Sequence, residues 1–149
     1  MQSRLFTGLE PQEQERFLAL CTKEHVPKGT LIKKEGERVK KAFFLIEGEV
    51  AVKKNSSQGE MEVATIKGGE DVVFSFTCMI DGGKSLTTIV AKTECSLLSF
   101  DKKVWLKFCE QNPKSALVLM QNALELMASF LRKSDEKLIQ MYQTLEEVL

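Results

Sequence analysis

The residues of this chain best suited to chemistry lie close together between positions 75 and 88. Ser75, Thr77, Ser85, Thr87 and Thr88 supply hydroxyls, Gly82 and Gly83 let backbone approach a ligand closely, and Lys84 supplies a positive charge. Such a set suits a small polar or anionic ligand held largely by backbone N–H groups. It also suits a plain loop around Asp81-Gly82-Gly83-Lys84, with Phe74, Phe76, Met79 and Ile80 filling any cavity with apolar bulk. Gly82-Gly83-Lys84-Ser85 ends like a nucleoside-triphosphate loop, but the upstream glycine and the strand-to-helix context of that motif are missing. No Ser/His/Asp set, motif-borne carboxylate pair or metal-ligand spacing stands out, so an enzyme is the weakest class.

The other reactive side chains are isolated. The single histidine, His25, precedes Val26-Pro27 near a strand start and reads as a surface or hydrogen-bonded residue. The four cysteines, Cys21, Cys78, Cys95 and Cys109, form no CxxC pair, which leaves zinc and dithiol chemistry without ligands and suits reduced thiols of a cytoplasmic protein. Cys78 has no cationic neighbour in sequence to activate it and reads as a buried apolar residue. Lysine and arginine number 21 and aspartate and glutamate 21, so no global field favours nucleic acid or an anionic membrane. The first residues lack an apolar targeting core, and no stretch reaches membrane-spanning length.

Positioning these residues falls to a β-rich body. Residues 10 to 24, after Pro11, predict a short N-terminal helix carrying Phe17, Leu18 and Leu20. From Val26 onward come short β-prone runs: TLIKKEG, KAFFLIEGEVAVKK, EMEVATIKGG, DVVFSFTCMI, SLTTIVAKT and CSLLSF. Glu35–Lys41 and Asn55–Gly59 read as hairpin ends, and lysine pairs 33/34, 40/41, 53/54 and 102/103 as solvated strand-end charges. After Asp101 the pattern is helical, broken at Asn112-Pro113, with a last helix from about Pro113 to about Leu149. Its apolar residues Leu117, Met120, Leu124, Met127, Leu131, Leu138, Met141, Leu145 and Val148 follow heptad spacing, with Ser134 the polar occupant that could fix register. A second stripe, Leu119, Ala123, Leu126 and Phe130, ends before Lys133. The early helix therefore needs two partners, its own β-body and a twin helix, and the later half only one. A homodimer joined by a coiled coil is expected.

The run from Ile32 to Val50, with Gly36, Phe43-Phe44-Leu45-Ile46 and Gly48, closely resembles the signature of cyclic-nucleotide-binding domains of the catabolite activator (Crp/Fnr) type. LFTGLEPQEQERFLALCTKEHVPKGTLI and AKTECSLLSFDKKVWLKFCEQNPKSALVLM extend the resemblance over nearly the whole chain, without a helix-turn-helix portion. It implies a mainly β fold with α elements: a jelly-roll, or double-stranded β-helix, at 1–111, and a dimerisation helix at 112–149. In that family a phosphate sits at a short helix N-terminus and pairs with an arginine, while a Gly-Glu dipeptide holds the ribose. Laid on this chain through Thr88-Ile89-Val90-Ala91, the arginine position falls on Ser85 and the Gly-Glu near Phe74-Ser75. A neutral hydroxyl replaces a bidentate cation and the carboxylate is gone. The resemblance thus implies a non-catalytic regulatory module with a degenerate pocket and no cofactor, cyclic nucleotide being disfavoured. It implies no direct nucleic acid binding, and a protein partner or a larger transcription regulator as the recipient of its signal. The alternative is a sensor of a cyclic nucleotide or another small ligand, anionic or not, in a modified pocket of a transcription regulator. Some relatives sense gases through haem, for which His25 would be the sole imidazole. Leu126, Phe130, Leu131 and Ser134 are the lid candidates, and Phe130 and Ser134 join the hydroxyls and glycines above as candidate ligand contacts.

Overall fold

The structure is a computed structural model that describes residues 4–69 and 73–148. Among these residues a 3-10 turn, Arg4–Phe6, leads into α1, Pro11–Leu20, and then into strands β1 (Thr22–Val26), β2 (Leu31–Lys33), β3 (Lys41–Glu47), β4 (Glu49–Ser56), β5 (Gly59–Lys67) and β6 (Val73–Phe74). A short helix α2 (Phe76–Asp81) precedes β7 (Thr88–Ala91) and β8 (Cys95–Asp101), and helices α3 (Lys102–Gln111) and α4 (Pro113–Val148) finish the fold. The strands form two four-stranded antiparallel sheets, ordered β1-β8-β3-β6 and β2-β7-β4-β5, which is the expected jelly-roll.

Two apolar layers explain the burial pattern. Phe43, Leu45, Phe74 and Leu97 from the first sheet meet Val50, Ile89 and Ala91 from the second inside the roll. On the other face of the first sheet, Ala42, Phe44, Leu98 and Phe100 pack on Phe17 of α1, Trp105 and Phe108 of α3, and Leu119, Ala123 and Leu126 of α4. Strand β3 is thus buried on both faces, which is why Phe43, Phe44 and Leu45 are all apolar in succession. Phe44 and Ile46 face the helical layer, while Phe43 and Leu45 face the interior of the roll. Gly36 and Gly48 adopt φ of 86° and 97°, as the tight turns around β3 require.

Four expectations change. The N-terminal helix stops at Leu20, and Thr22–Val26 forms β1, an exposed polar strand on β8 whose composition hides its pairing. Residues Glu35–Lys41 cross from one sheet to the other and do not close a hairpin, whereas Ser56 and Gly59 do pair at the β4–β5 turn. The run DVVFSFTCMI is a strand only at Val73–Phe74; Phe76–Asp81 is helical, and its first two residues lie outside those described. Lys33 is no solvated strand-end lysine. A one-residue irregularity in the β2–β7 register between Leu31 and Lys33 accompanies its partial burial, and desolvation lowers its ammonium pKa below the usual 10.5.

Helix α3 begins where Asp101 Oδ1 accepts the Val104 N–H at 2.8 Å. The following helix, α4, runs unbroken to Val148 as its periodicity predicts; Leu149 lies outside the described residues. Leu119, Ala123 and Leu126 are buried, while the seam residues Leu117, Met120, Leu124, Leu131, Leu138, Met141, Leu145 and Val148 are exposed and Met127 is half-buried. No helix among the described residues is long and apolar enough to cross a membrane.

Candidate ligand site

The loop between α2 and β7 carries most of the candidate residues, and its geometry starts with Ser75. Ser75 takes φ 68°, the left-handed region that non-glycine residues seldom enter, and this reverses the chain from β6 into α2. Gly82, also left-handed at φ 71°, ends the helix, its N–H donating to the Cys78 carbonyl. Asp81 then folds over the loop: its Oδ1 accepts the Gly83 N–H at 2.7 Å. A Cβ on Gly83 would stand 2.9 Å from that oxygen, so a side chain here would push the carboxylate aside.

The remaining polar groups of the loop are likewise turned onto the protein. Ser85 is 2% exposed; its Oγ donates to the Thr87 carbonyl at 2.6 Å and accepts the Thr87 N–H at 3.3 Å. Its N–H donates to the Glu37 carbonyl, and its own carbonyl accepts from Gly36, each at 2.8 Å. Arg38 Nη1 donates to the Gly82 carbonyl at 2.5 Å, and Thr88 Oγ1 accepts the Glu35 N–H at 2.9 Å. The β2–β3 connection therefore clamps the loop from one side. Thr87 and Thr88 follow into β7, and Lys84 forms an isolated bridge with Arg38.

Of the four apolar side chains expected to fill a cavity, Phe74 lies inside the roll, stacked on Phe43. Phe76, Met79 and Ile80 instead turn to the helical layer, because α2 directs them there. Ser75, Thr77 and Phe130 come together in a cleft between α2 and α4. The Gly82–Thr88 loop is not part of that cleft, and Ser134 is exposed on α4 outside its lining. The candidate residues thus divide into two places. His25 is exposed, with Nδ1 3.3 Å from Ser96 Oγ. Cys78 is half-buried, its Sγ 3.8 Å from the Lys84 carbonyl. Lys33 is a cationic neighbour supplied by the fold and not by adjacent sequence.

Sequence reasoning did not count Lys33, Arg38 or Asp81 among the candidate site residues. Asp81 had a signal, since Asp before Gly-Gly favours a side-chain-capped turn. Arg38 had none, as its contact joins positions 44 residues apart.

The sequence pattern of the cyclic nucleotide-binding domain matches residues 23–112. The chain belongs to that family. The chain is 28% identical over 121 residues to the cyclic nucleotide-gated potassium channel mll3241 of Mesorhizobium japonicum, covering 81% of this chain and 32% of the channel. It is 24% identical over 134 residues to the CRP-like cAMP-activated global transcriptional regulator of Mycobacterium tuberculosis, covering 90% of this chain and 58% of the regulator. The chain therefore spans about a third of the one relative and somewhat over half of the other. Among solved structures, the Thermus thermophilus catabolite activator protein superposes with TM-score 0.83 at 24% identity, over 93% of this chain and 63% of that one. The shared fold is that of a cyclic nucleotide-binding domain, with α4 beside the roll.

Proposed function

We propose that this cyclic nucleotide-binding domain is a non-catalytic regulatory module that does not hold cyclic AMP or cyclic GMP tightly and works as a homodimeric scaffold or signalling unit through α4. The observation that carries this reading is the self-satisfied loop. A nucleotide phosphate needs free N–H donors and a fixed cation. Here the Gly83 N–H serves the Asp81 carboxylate, the Ser85 N–H serves Glu37, and the hydroxyl at the arginine position closes on Thr87. Asp81 moreover puts negative charge where a phosphate would approach. Losing the charge-assisted bidentate contact alone costs about 2–4 kcal/mol, roughly thirtyfold to nearly a thousandfold in affinity. Phe74 packed on Phe43 takes space inside the roll where the family's ribose-binding dipeptide would stand.

Signalling through α4 follows from its two faces. One is spent on the roll, and the other offers a heptad seam of exposed apolar residues that a twin helix would cover. The recipient is a protein partner or further regulator sequence, in a cytoplasmic setting and without direct nucleic acid contact by this domain. A second reading, a sensor of a small anion in a modified pocket, draws on Lys33, whose partly buried ammonium is desolvated beside the loop helix.

Isothermal titration of the purified protein with cyclic AMP and cyclic GMP, beside a light-scattering mass, tests the proposal. No heat of binding together with a dimer mass is the expected result. Binding at micromolar concentration or tighter would overturn it and make Lys33 or Lys84 the replacement cation.

A further inference from the structure

The second place where candidate residues meet differs from the loop in every chemical respect. A cleft of about 160 Å³ opens between the start of α2 and the middle of α4, with Leu5, Val73, Phe76 and Phe130 among its walls. A second cleft of about 240 Å³ adjoins it along α2 and α4. The two share Phe76, Thr77, Ala123 and Met127. Met120, Leu124 and Met127 of the proposed seam wall the second cleft, so a twin helix would close it and leave the first as the place for a ligand. Among the described residues the first cleft has no charged side chain in its lining, and the second has only Asp81, at its edge.

Ser75 supplies the polar element. It is 8% exposed, and among the described residues its Oγ is the one buried side-chain oxygen or nitrogen with no partner in the protein. It is also the one non-glycine residue among them with positive φ. An unpartnered hydroxyl and a strained backbone are each costly, and such features gather where a ligand compensates for them. Here both fall on one residue that lines an otherwise apolar cleft.

We infer that the α2–α4 cleft binds a small uncharged molecule with an apolar body and one oxygen, such as a medium-chain alcohol or carbonyl compound, whose oxygen takes the Ser75 hydroxyl as partner. Rotation about the single χ1 bond of Ser75 is the adjustment this requires. The inference goes beyond the reading of the loop: no residue from Gly82 to Thr88 lines either cleft, so cyclic nucleotide binding and occupation of this cleft fail or succeed separately.

The chain carries its own reporter. Its one tryptophan, Trp105, meets Phe76 edge-on with ring centroids 5.4 Å apart, and Phe76 is a wall of both clefts. Titration of the full chain with 1-octanol, followed by Trp105 fluorescence, should give a saturable change, with sodium octanoate at least about tenfold weaker because its charge would be desolvated. Ser75→Ala should weaken octanol about fivefold, the worth of one hydrogen bond. Thr77→Phe, at an exposed position that borders both clefts, should abolish the saturable change while leaving the thermal midpoint near that of the parent. A linear, unsaturable response of the parent would overturn the inference. So would an undiminished response in a folded Thr77→Phe variant, or octanoate binding as tightly as octanol.

Discussion

Phe74 stacks on Phe43 across the β3–β6 pair, ring centroids 5.2 Å apart and planes 16° from parallel. The pair stands inside the roll, against Val50, Ile89 and Leu97. Phe74→Ala should therefore destabilise the protein by about 3–5 kcal/mol, the cost of an aromatic truncated in a packed interior. Urea unfolding measures it. A loss below about 1 kcal/mol would mean that the ring does not fill the space described.

Ser75 predicts a change of opposite sign. Glycine at this position accepts the left-handed backbone and removes the unpartnered hydroxyl, so Ser75→Gly should gain about 1 kcal/mol. The same variant should bind octanol less well, a trade between stability and function at one residue. Paired unfolding curves and titrations give both numbers.

Asn122 ties the N-terminal turn to α4, its Nδ2 donating to the carbonyls of Leu5 at 2.7 Å and Thr7 at 2.8 Å. Asn122→Ala leaves both carbonyls without that donor and should cost about 1–3 kcal/mol. Hydrogen exchange should rise across the turn and the start of α1, with the sheets unchanged.

Burial pushes the Cys21 thiol from its ordinary 9.0 up to about 12. The folded state holds this proton more tightly than the unfolded chain, so the contribution is fully present below pH 9.0 and is lost as pH rises toward about 12. Stability should fall over that alkaline window, and Cys21→Val should flatten the fall. A thiolate-selective alkylating reagent at pH 8 should leave Cys21 unmodified in the native protein and label it on unfolding.

The seam of α4 gives the fifth expectation. Leu124 and Leu131 are each 64% exposed, so Leu124→Glu with Leu131→Glu should leave the fold and its thermal transition in place. At micromolar concentration the same double variant should convert a dimer mass to a monomer mass. A monomeric parent chain would refute the twin-helix reading outright.

Much of this architecture is legible in the chain because its signals are local. Gly36 and Gly48 bracket β3, and the three-four spacing from Leu117 onward marks α4, whose buried stripe at Leu119, Ala123 and Leu126 is separate from the exposed one. What escapes is set by contacts distant in sequence. Thr22–Val26 is a strand because β8 offers an edge, not because its own residues favour one. Phe76–Asp81 has strand composition, yet becomes helical between two left-handed residues, Ser75 and Gly82. At the candidate site, the hydroxyls and glycines are visible as types. Their division between a self-bonded loop and an apolar cleft is visible only once Arg38, Asp81 and α4 are in position.

Every residue of α4 from Arg132 to Val148 is exposed. At 1.5 Å per residue they form a rod about 25 Å long. A tilt of about 10° where Leu126 and Phe130 leave the roll would carry the far end some ~4 Å sideways. The helix is thus a pointer as well as a seam: a change too small to see at α2 becomes, at Val148, a displacement large enough to open or close a contact.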